Sequence, residues 1–286
     1  MTRLAHVSDL HFGRTDPVVV DALREEIRAD APDMVVVSGD LTQSATPDEF
    51  RQAKAFLDSL GRPVFAVPGN HDIPPTNLWE RFTDPYKRWR RYYSDAKEPV
   101  WCNDEVALLG INTARRIGWH WNWAYGRITK DQLEDLEHRL AALPKGVVRI
   151  VVAHHPFLPP EKAPDTKLVG RVDRALELFA RHDVRIVVAG HLHRAYSRLA
   201  KAGSGSGVMV VQAGTATSTR LRDEANAYNR FLVTEGVVSM ETRVWNGASW
   251  ETGFTSANLL APQPDTVKEV VAEPGPGVAK VTESAG

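Results

Sequence analysis

The sequence predicts an α/β fold from three observations: short Val- and Ile-rich runs alternate with segments of helical periodicity, later runs follow one another as strands, and the length suits one large core. The runs in VVVSGD, VFAVPGNHD, RIVVAHH and RIVVAGH are too short for helices; their β-branched content fits buried strands. A helix is expected near residues 16–30, where Val20, Leu23 and Ile27 recur at helical spacing and Pro32 marks the exit. A second is expected near 47–60, with Phe50, Ala53 and Leu57 on one face and Gly61 as its stop. The stripe Leu133, Leu136 and Leu140 places a third over 129–143, capped by Thr129, and a fourth covers about 171–182. VMVVQ, NRFLVT and GVVSMETRVW then read as antiparallel strands. Asn246-Gly247 reads as a hairpin turn.

Composition narrows the function classes. The 286 residues are 43% hydrophobic and 25% charged, ordinary values for one globular domain. With a formal net charge of −1, no global field recruits nucleic acid or membrane. The single Cys102 rules out an internal disulfide framework and suits a reducing compartment. Met1 runs almost directly into the first strand, which leaves no room for a signal peptide, and no apolar run approaches the roughly twenty residues that span a bilayer. A cytoplasmic protein is expected.

Five clusters of Asp, His and Asn each follow an apolar run. They are Asp9 and His11 in SDLH, Asp40 in SGD, Asn70, His71 and Asp72 in GNHD, His154 in AHHP, and His191 and His193 in GHLH. A parallel-type sheet delivers all of them to one edge, at the carboxyl ends of strands where open α/β sheets hold ligands. That is the layout of a two-metal hydrolase. Water is a poor nucleophile at neutral pH, and a pair of divalent cations both activates it as a bridging hydroxide and neutralises a phosphate under attack. Asp40, alone in its motif and bearing two oxygens, is the natural bridge. Two carboxylates, one amide oxygen and four neutral imidazoles leave the loaded centre positive, so an anionic phosphate is attracted and its transition-state charge stabilised.

The ordered set D-x-H, G-D, G-N-H-[DE], H and G-H-x-H resembles the pattern of the calcineurin-like metallophosphoesterases, over roughly residues 2–245. The resemblance implies a four-layer α-β-β-α sandwich of two mixed sheets flanked by helices. Carried over by position, it implies one metal site of Asp9, His11, Asp40 and His193 and a second of Asp40, Asn70, His154 and His191. The two divalent ions would be Mn, Fe or Zn. His71 would contact the phosphate and protonate the leaving oxygen, Asn70 would share in substrate binding, and Asp72 would serve catalysis by orienting the loop or His71. His154 is selected over His155 by the family's spacing to Pro156; His155 is left between a supporting role and packing. His6, His138 and His182 read as structural histidines.

Within the family, GDLTQSA lacks the extended motif of protein serine/threonine phosphatases, and His71 stands where the commoner lipid A pathway pyrophosphohydrolases have Arg. The SDLH, AHHP and GHLH forms look most like bacterial class III cyclic-nucleotide phosphodiesterases and their broad-specificity relatives. This implies hydrolysis of a small phosphodiester, such as a 3′,5′-cyclic nucleotide, by in-line attack of a metal-bridging hydroxide. A nuclease using the same centre and a non-catalytic metal-binding scaffold are the alternatives; near-neutral net charge disfavours nucleic acid. The family often forms homodimers.

Residues 1–260 are expected to form one domain, with an insert at about 73–125. There Leu78, Phe82, Tyr86, Trp89 and Tyr93 fall near one helical face, which fits a helical, aromatic cap whose basic residues are solvated; KRWRRYY as a nucleic-acid patch is the competing account. Pro85 splits the segment. Trp119, Trp121 and Trp123 would share one face of an extended WHWNW, leaving His120 opposite as a candidate substrate contact. Residues 261–286, rich in Pro, Gly, Glu and Lys, read as a tail that does not pack.

Overall fold

The computed structural model describes residues 1–115, 124–201, 207–222 and 224–260. The first part of the chain forms β1 (Thr2–Val7), α1 (Pro17–Asp30), β2 (Met34–Val37), α2 (Pro47–Ser59) and β3 (Val64–Ala66). Two short helices, α3 (Leu78–Thr83) and α4 (Lys87–Tyr92), lead to β4 (Val100–Cys102), β5 (Val106–Gly110), α5 (Lys130–Ala141) and β6 (Val148–Val152). The remainder is α6 (Val172–Arg181), β7 (Val184–Ala189), β8 (Tyr196–Ala200), β9 (Val208–Gln212), β10 (Ala227–Thr234), β11 (Val237–Trp245) and β12 (Trp250–Ser256).

The strands make two mixed six-stranded sheets, ordered β12-β11-β10-β1-β2-β3 and β4-β5-β6-β7-β9-β8. The expected sandwich follows from period-two alternation. Val35 and Val37 face α1 and α2, while Met34 and Val36 face the other sheet. Val151 and Val187 pack with α5 and α6, while Ile150 and Ile186 join the inter-sheet layer. Because the central strands are covered on both faces, their sequences are nearly continuous apolar runs.

Helix ends match local chemistry. Asp16 caps α1 by accepting from Val18 N at 2.9 Å, with Pro17 at its first position. Reciprocal capping boxes close α2 through Thr46 and Glu49 and α5 through Thr129 and Gln132. The expected ends differ from these by a residue or two.

Four features differ from the sequence reading. The expected single edge is built from two sheets: β1, β2 and β3 belong to one, β6 and β7 to the other. The VMVVQ run, grouped above with later antiparallel strands, pairs parallel to β7, and the polar edge strand β8 runs antiparallel beside it. Asn246-Gly247 does turn a hairpin, but with four residues between Trp245 and Trp250, because Asn246 Oδ1 accepts from the N–H groups of Ala248 and Ser249. The two-residue turn lies at Glu235-Gly236, both at positive φ.

The fourth difference concerns the insert. Trp89 and Tyr86 are buried, but Leu78 and Phe82 are exposed, and Arg81 is buried instead, donating to the carbonyls of Pro74 and Arg115. Two six-residue helices cannot keep one stripe aligned across Pro85. The basic residues Lys87, Arg90 and Arg91 are exposed as expected, while Arg88 is half-buried and pairs with Glu80 at 2.6 Å. His120, the three tryptophans around it and the tail from residue 261 lie outside the described residues. Among the described residues, no helix is long and apolar enough to cross a membrane.

His6 on β1 is fully buried, accepting from Asn229 Nδ2 at Nδ1 and donating from Nε2 to Ser38 Oγ at 2.9 Å. Burial, opposed by the charge of Asp9, pushes its pKa down to about 3. The folded value lies below the unfolded one, so the stabilisation is complete above the unfolded pKa near 6.5 and is lost as pH falls toward 3. In urea titrations the protein should therefore lose stability faster than His6→Asn on acidification from pH 6.5, by about 1.4 kcal/mol per pH unit. Parallel curves would show that His6 takes up no proton on unfolding.

Candidate metal centre

The carboxyl ends of β1, β2 and β3 meet those of β6 and β7, and eight of the nine motif residues converge where they meet. Asp9, His11, Asp40, His154 and His193 form a buried floor; Asn70, His71 and His191 are half-buried at its mouth. His11 Nε2 lies 3.1 Å from His193 Nε2 and 3.6 Å from Asp9 Oδ1, and His193 Nε2 lies 3.2 Å from the same oxygen. His154 Nε2 lies 3.1 Å from Asn70 Oδ1 and 3.3 Å from Asp40 Oδ2, which also faces His11 Nε2 at 3.7 Å. Donor atoms sharing one cation at about 2.1 Å stand roughly 3.0–3.4 Å apart; four of these six spacings fall in that range, and the two from His11 Nε2 to the carboxylates, 3.6 and 3.7 Å, are slightly wider.

Local backbone geometry creates the convergence. Asp9, His11, Asp40, His191 and His193 all have φ between 50° and 74°, the left-handed region that turns the chain sharply enough to aim alternate side chains at one point. Two glycines let the loops touch: a Cβ on Gly69 would overlap Asp40, and one on Gly190 would overlap Ser8 and stand 2.5 Å from Asp9 Oδ2.

Each carboxylate divides its oxygens. Asp9 Oδ2 accepts from Ser8 Oγ at 2.7 Å and His191 N at 2.9 Å, while Asp40 Oδ1 accepts from His71 N at 2.8 Å. The other oxygens, Asp9 Oδ1 and Asp40 Oδ2, are buried without a hydrogen bond among the described residues. Both face the imidazole nitrogens of the floor, so they call for positive charge between them.

The imidazoles lead to the same conclusion. His154 Nδ1 meets the Ser38 carbonyl at 2.8 Å, and His193 Nδ1 meets that of Arg220 at 2.9 Å. With the Nδ1 proton committed, each Nε2 presents a lone pair to an oxygen, a repulsive contact unless positive charge sits between them. The pKa directions have this cause. Burial opposes it, but Asp40 raises His154 to about 9 and Asp9 raises His193. Asp40 is held well below the carboxylate range against its own burial, by His154 and His71. Desolvation and the neighbouring His154 push His191 down to about 3, which keeps its lone pair available. Among the described residues, four groups of side chains could each hold a metal ion: Asp9, His11 and His193; Asp9, Asp40 and His154; His11, Asp40 and His71; and His154, His155 and His191.

Asp72 sits behind this cluster. Its carboxylate accepts from Gly69 N at 2.9 Å, Leu41 N at 3.2 Å, Thr42 N at 3.0 Å and Thr42 Oγ1 at 2.9 Å, stapling GNHD to the Asp40 loop. Burial, then the charge of Asp40, push it up to about 6. His155 is buried with Nδ1 2.7 Å from Thr113 Oγ1 and its ring against His154 and His191. Sequence reasoning missed Arg220, whose Nη1 lies 3.2 Å from His71 Nε2. It belongs to a polar loop with no strand or helix period to mark it.

Residues 2–195 match the family model described as calcineurin-like phosphoesterase. A probable cyclic nucleotide phosphodiesterase of Synechococcus sp. is 28% identical over 210 residues, 68% of this chain and 74% of that protein. A probable glycerophosphodiester phosphodiesterase of Arcobacter nitrofigilis is 25% identical over 172 residues and is matched over only 59% of its length, as is 59% of this chain. Among solved structures, a dimetal phosphatase from Danio rerio shares the fold at a TM-score of 0.62 and 14% identity, covering 88% of this chain and 98% of that one. With its family model matched over most of the chain and its motif residues gathered where the strand ends of two sheets meet, the protein belongs to the calcineurin-like phosphoesterases, hydrolases of phosphoesters.

Proposed function

We propose that this chain is a two-metal phosphodiesterase acting on small phosphodiesters, with 3′,5′-cyclic nucleotides the leading substrate class. One observation carries the reading: Asp40 Oδ2 is a buried oxygen without a hydrogen bond, faced from one side by His11 and from the other by His154. In this assignment Asp9, His11, Asp40 and His193 hold one divalent cation, and Asp40, Asn70, His154 and His191 hold the other. When bound, the ions supply a water nucleophile active at neutral pH and positive charge against the phosphate. The names of the Synechococcus and Arcobacter relatives support a phosphodiester substrate.

The protein's own residues do the rest. The Ser38 and Arg220 carbonyls fix the rings of His154 and His193, the kind of outer contact that orients metal-bound imidazoles. His71 donates from Nδ1 to the Gln43 carbonyl at 2.7 Å, which turns Nε2 toward the mouth. There the ring contacts the phosphate and, when protonated on both nitrogens, passes its Nε2 proton to the leaving oxygen and keeps the Nδ1 proton on the Gln43 carbonyl. Asp72 acts indirectly, by holding the GNHD turn. In this reading residues 1–260 are one catalytic domain and 73–125 its insert. The acid partners of Arg88 and Arg90 favour a small substrate over nucleic acid, because those charges are already paired.

Manganese-loaded protein should cleave bis(p-nitrophenyl) phosphate, and exhaustive chelation should abolish the activity; loaded protein without turnover would sink the reading. Asp40→Ala should lower the content of both ions by elemental analysis. His71→Ala should keep the metals and lower kcat by about a hundredfold or more. Equal metal loss in the two variants would overturn this division of roles.

A further inference from the structure

Arg220 stands at the mouth outside the set of motif residues. It is half-buried, and its Nη1 contacts His71 Nε2 at 3.2 Å and Gln43 Oε1 at 3.5 Å. Neither is a carboxylate, and the second contact is at the limit of a hydrogen bond. No carboxylate lies within ion-pair distance of its guanidinium among the described residues. A desolvated guanidinium would ordinarily be placed beside an acid, yet this one is left to an imidazole that itself faces the centre.

The mount is rigid. Thr215 Oγ1 donates to the Asp9 carbonyl at 2.7 Å and Thr217 Oγ1 to that of Leu10 at 2.8 Å. Asn226 Nδ2 donates to the Ser218 carbonyl at 3.0 Å, and Thr219 N to that of Arg14 at 3.1 Å. The Arg220 carbonyl accepts from His193 Nδ1. Its backbone is thus tied to the floor while its side chain reaches His71 across the mouth. Desolvation, then the like charge of Arg222, lower the Arg220 pKa, opposed by Asp40.

We infer that Arg220 is a substrate-binding residue, donating from its guanidinium to a non-bridging phosphoryl oxygen of the phosphoester held at the mouth. A phosphate oxygen is a stronger acceptor than an imidazole nitrogen, and the planar fork of arginine matches phosphate geometry. The contact with His71 then places the charge beside the group that meets the leaving oxygen. This rests on the phosphodiesterase reading above.

The test uses full-length, manganese-loaded protein, with inorganic phosphate as the calorimetric probe and bis(p-nitrophenyl) phosphate as the kinetic one. Arg220→Gln should weaken phosphate binding and raise KM by about tenfold or more, as expected for loss of a charge-assisted contact, while metal content stays at the parent's level. Arg220→Lys, which keeps the charge without the fork, should fall between them. Phosphate affinity equal across the three proteins overturns the inference, as does loss of metal in Arg220→Gln, since the residue would then be structural. If Arg220→Gln fails to fold, the lysine variant is read alone, and parental affinity in it overturns the inference. A parent that binds phosphate through Arg220 but cleaves no diester would sink the phosphodiesterase reading and leave this one standing; a parent that does not bind phosphate sinks this one.

Discussion

Two carboxylates taken out of water govern this structure. Asp9 and Asp40 are 0% and 1% exposed, and an ionised carboxylate in such a place costs several kcal/mol unless charge and hydrogen bonds compensate it. Hydrogen bonds satisfy one oxygen of each and leave the other bare toward a ring of imidazoles. The loops around them exist to hold that arrangement. Five motif residues adopt left-handed backbone conformations, a strain on the order of 1 kcal/mol each for a residue with a side chain. Gly69 and Gly190 remove the Cβ atoms that would push the loops apart. Strain of this kind persists only where surrounding packing over-determines it, and here two buried sheets supply that packing.

The sheets also explain how residues far apart in the chain meet. Parallel pairing of β1 with β2 and β3, and of β6 with β7, sends every motif-bearing strand end the same way. The inter-sheet layer sets the distance between the two edges. Its members Val36, Val67, Ile150 and Val188 lie on or next to the strands whose ends carry Asp40, Asn70, His154 and His191. Packing between the sheets and geometry of the site are therefore one property. A volume change in that layer moves Asp40 relative to His154 before it touches either residue.

This coupling accounts for what was legible in the sequence. Val-rich runs ending in Asp, His or Asn carry both messages at once, burial through the run and chemistry through its end, so the cluster could be named residue by residue. Asp9 with His11 and His191 with His193 were readable as pairs because D-x-H and H-x-H need a tight loop to work. The distribution of strands between two sheets was not readable from periodicity, because a strand buried on both faces looks the same in either sheet; it came from the family resemblance. The insert was misread in detail because apolar spacing in two six-residue helices reports the local turn and not the neighbour. Arg81 is the clearest case, a cation buried by backbone carbonyls that no hydropathy pattern marks. Arg220 was invisible for a related reason: its importance lies in which group it faces across the mouth, and that is a tertiary fact.

Global and local charge answer different questions in this protein. The formal net charge of −1 is a sum over a surface where acids and bases are mixed, and it sets the long-range field. At the mouth, where screening extends over roughly 8 Å at physiological ionic strength, local charge matters more: Asp9 and Asp40 lie on the floor, while Arg220 contacts His71 at 3.2 Å. Cations bound on the floor, as proposed here, would turn the carboxylates from a repulsive background into ligands and leave Arg220 as a further positive charge beside them. An anion approaching from solvent would then meet the half-buried guanidinium as well as the cations. Such an arrangement attracts a phosphate without making the whole molecule basic.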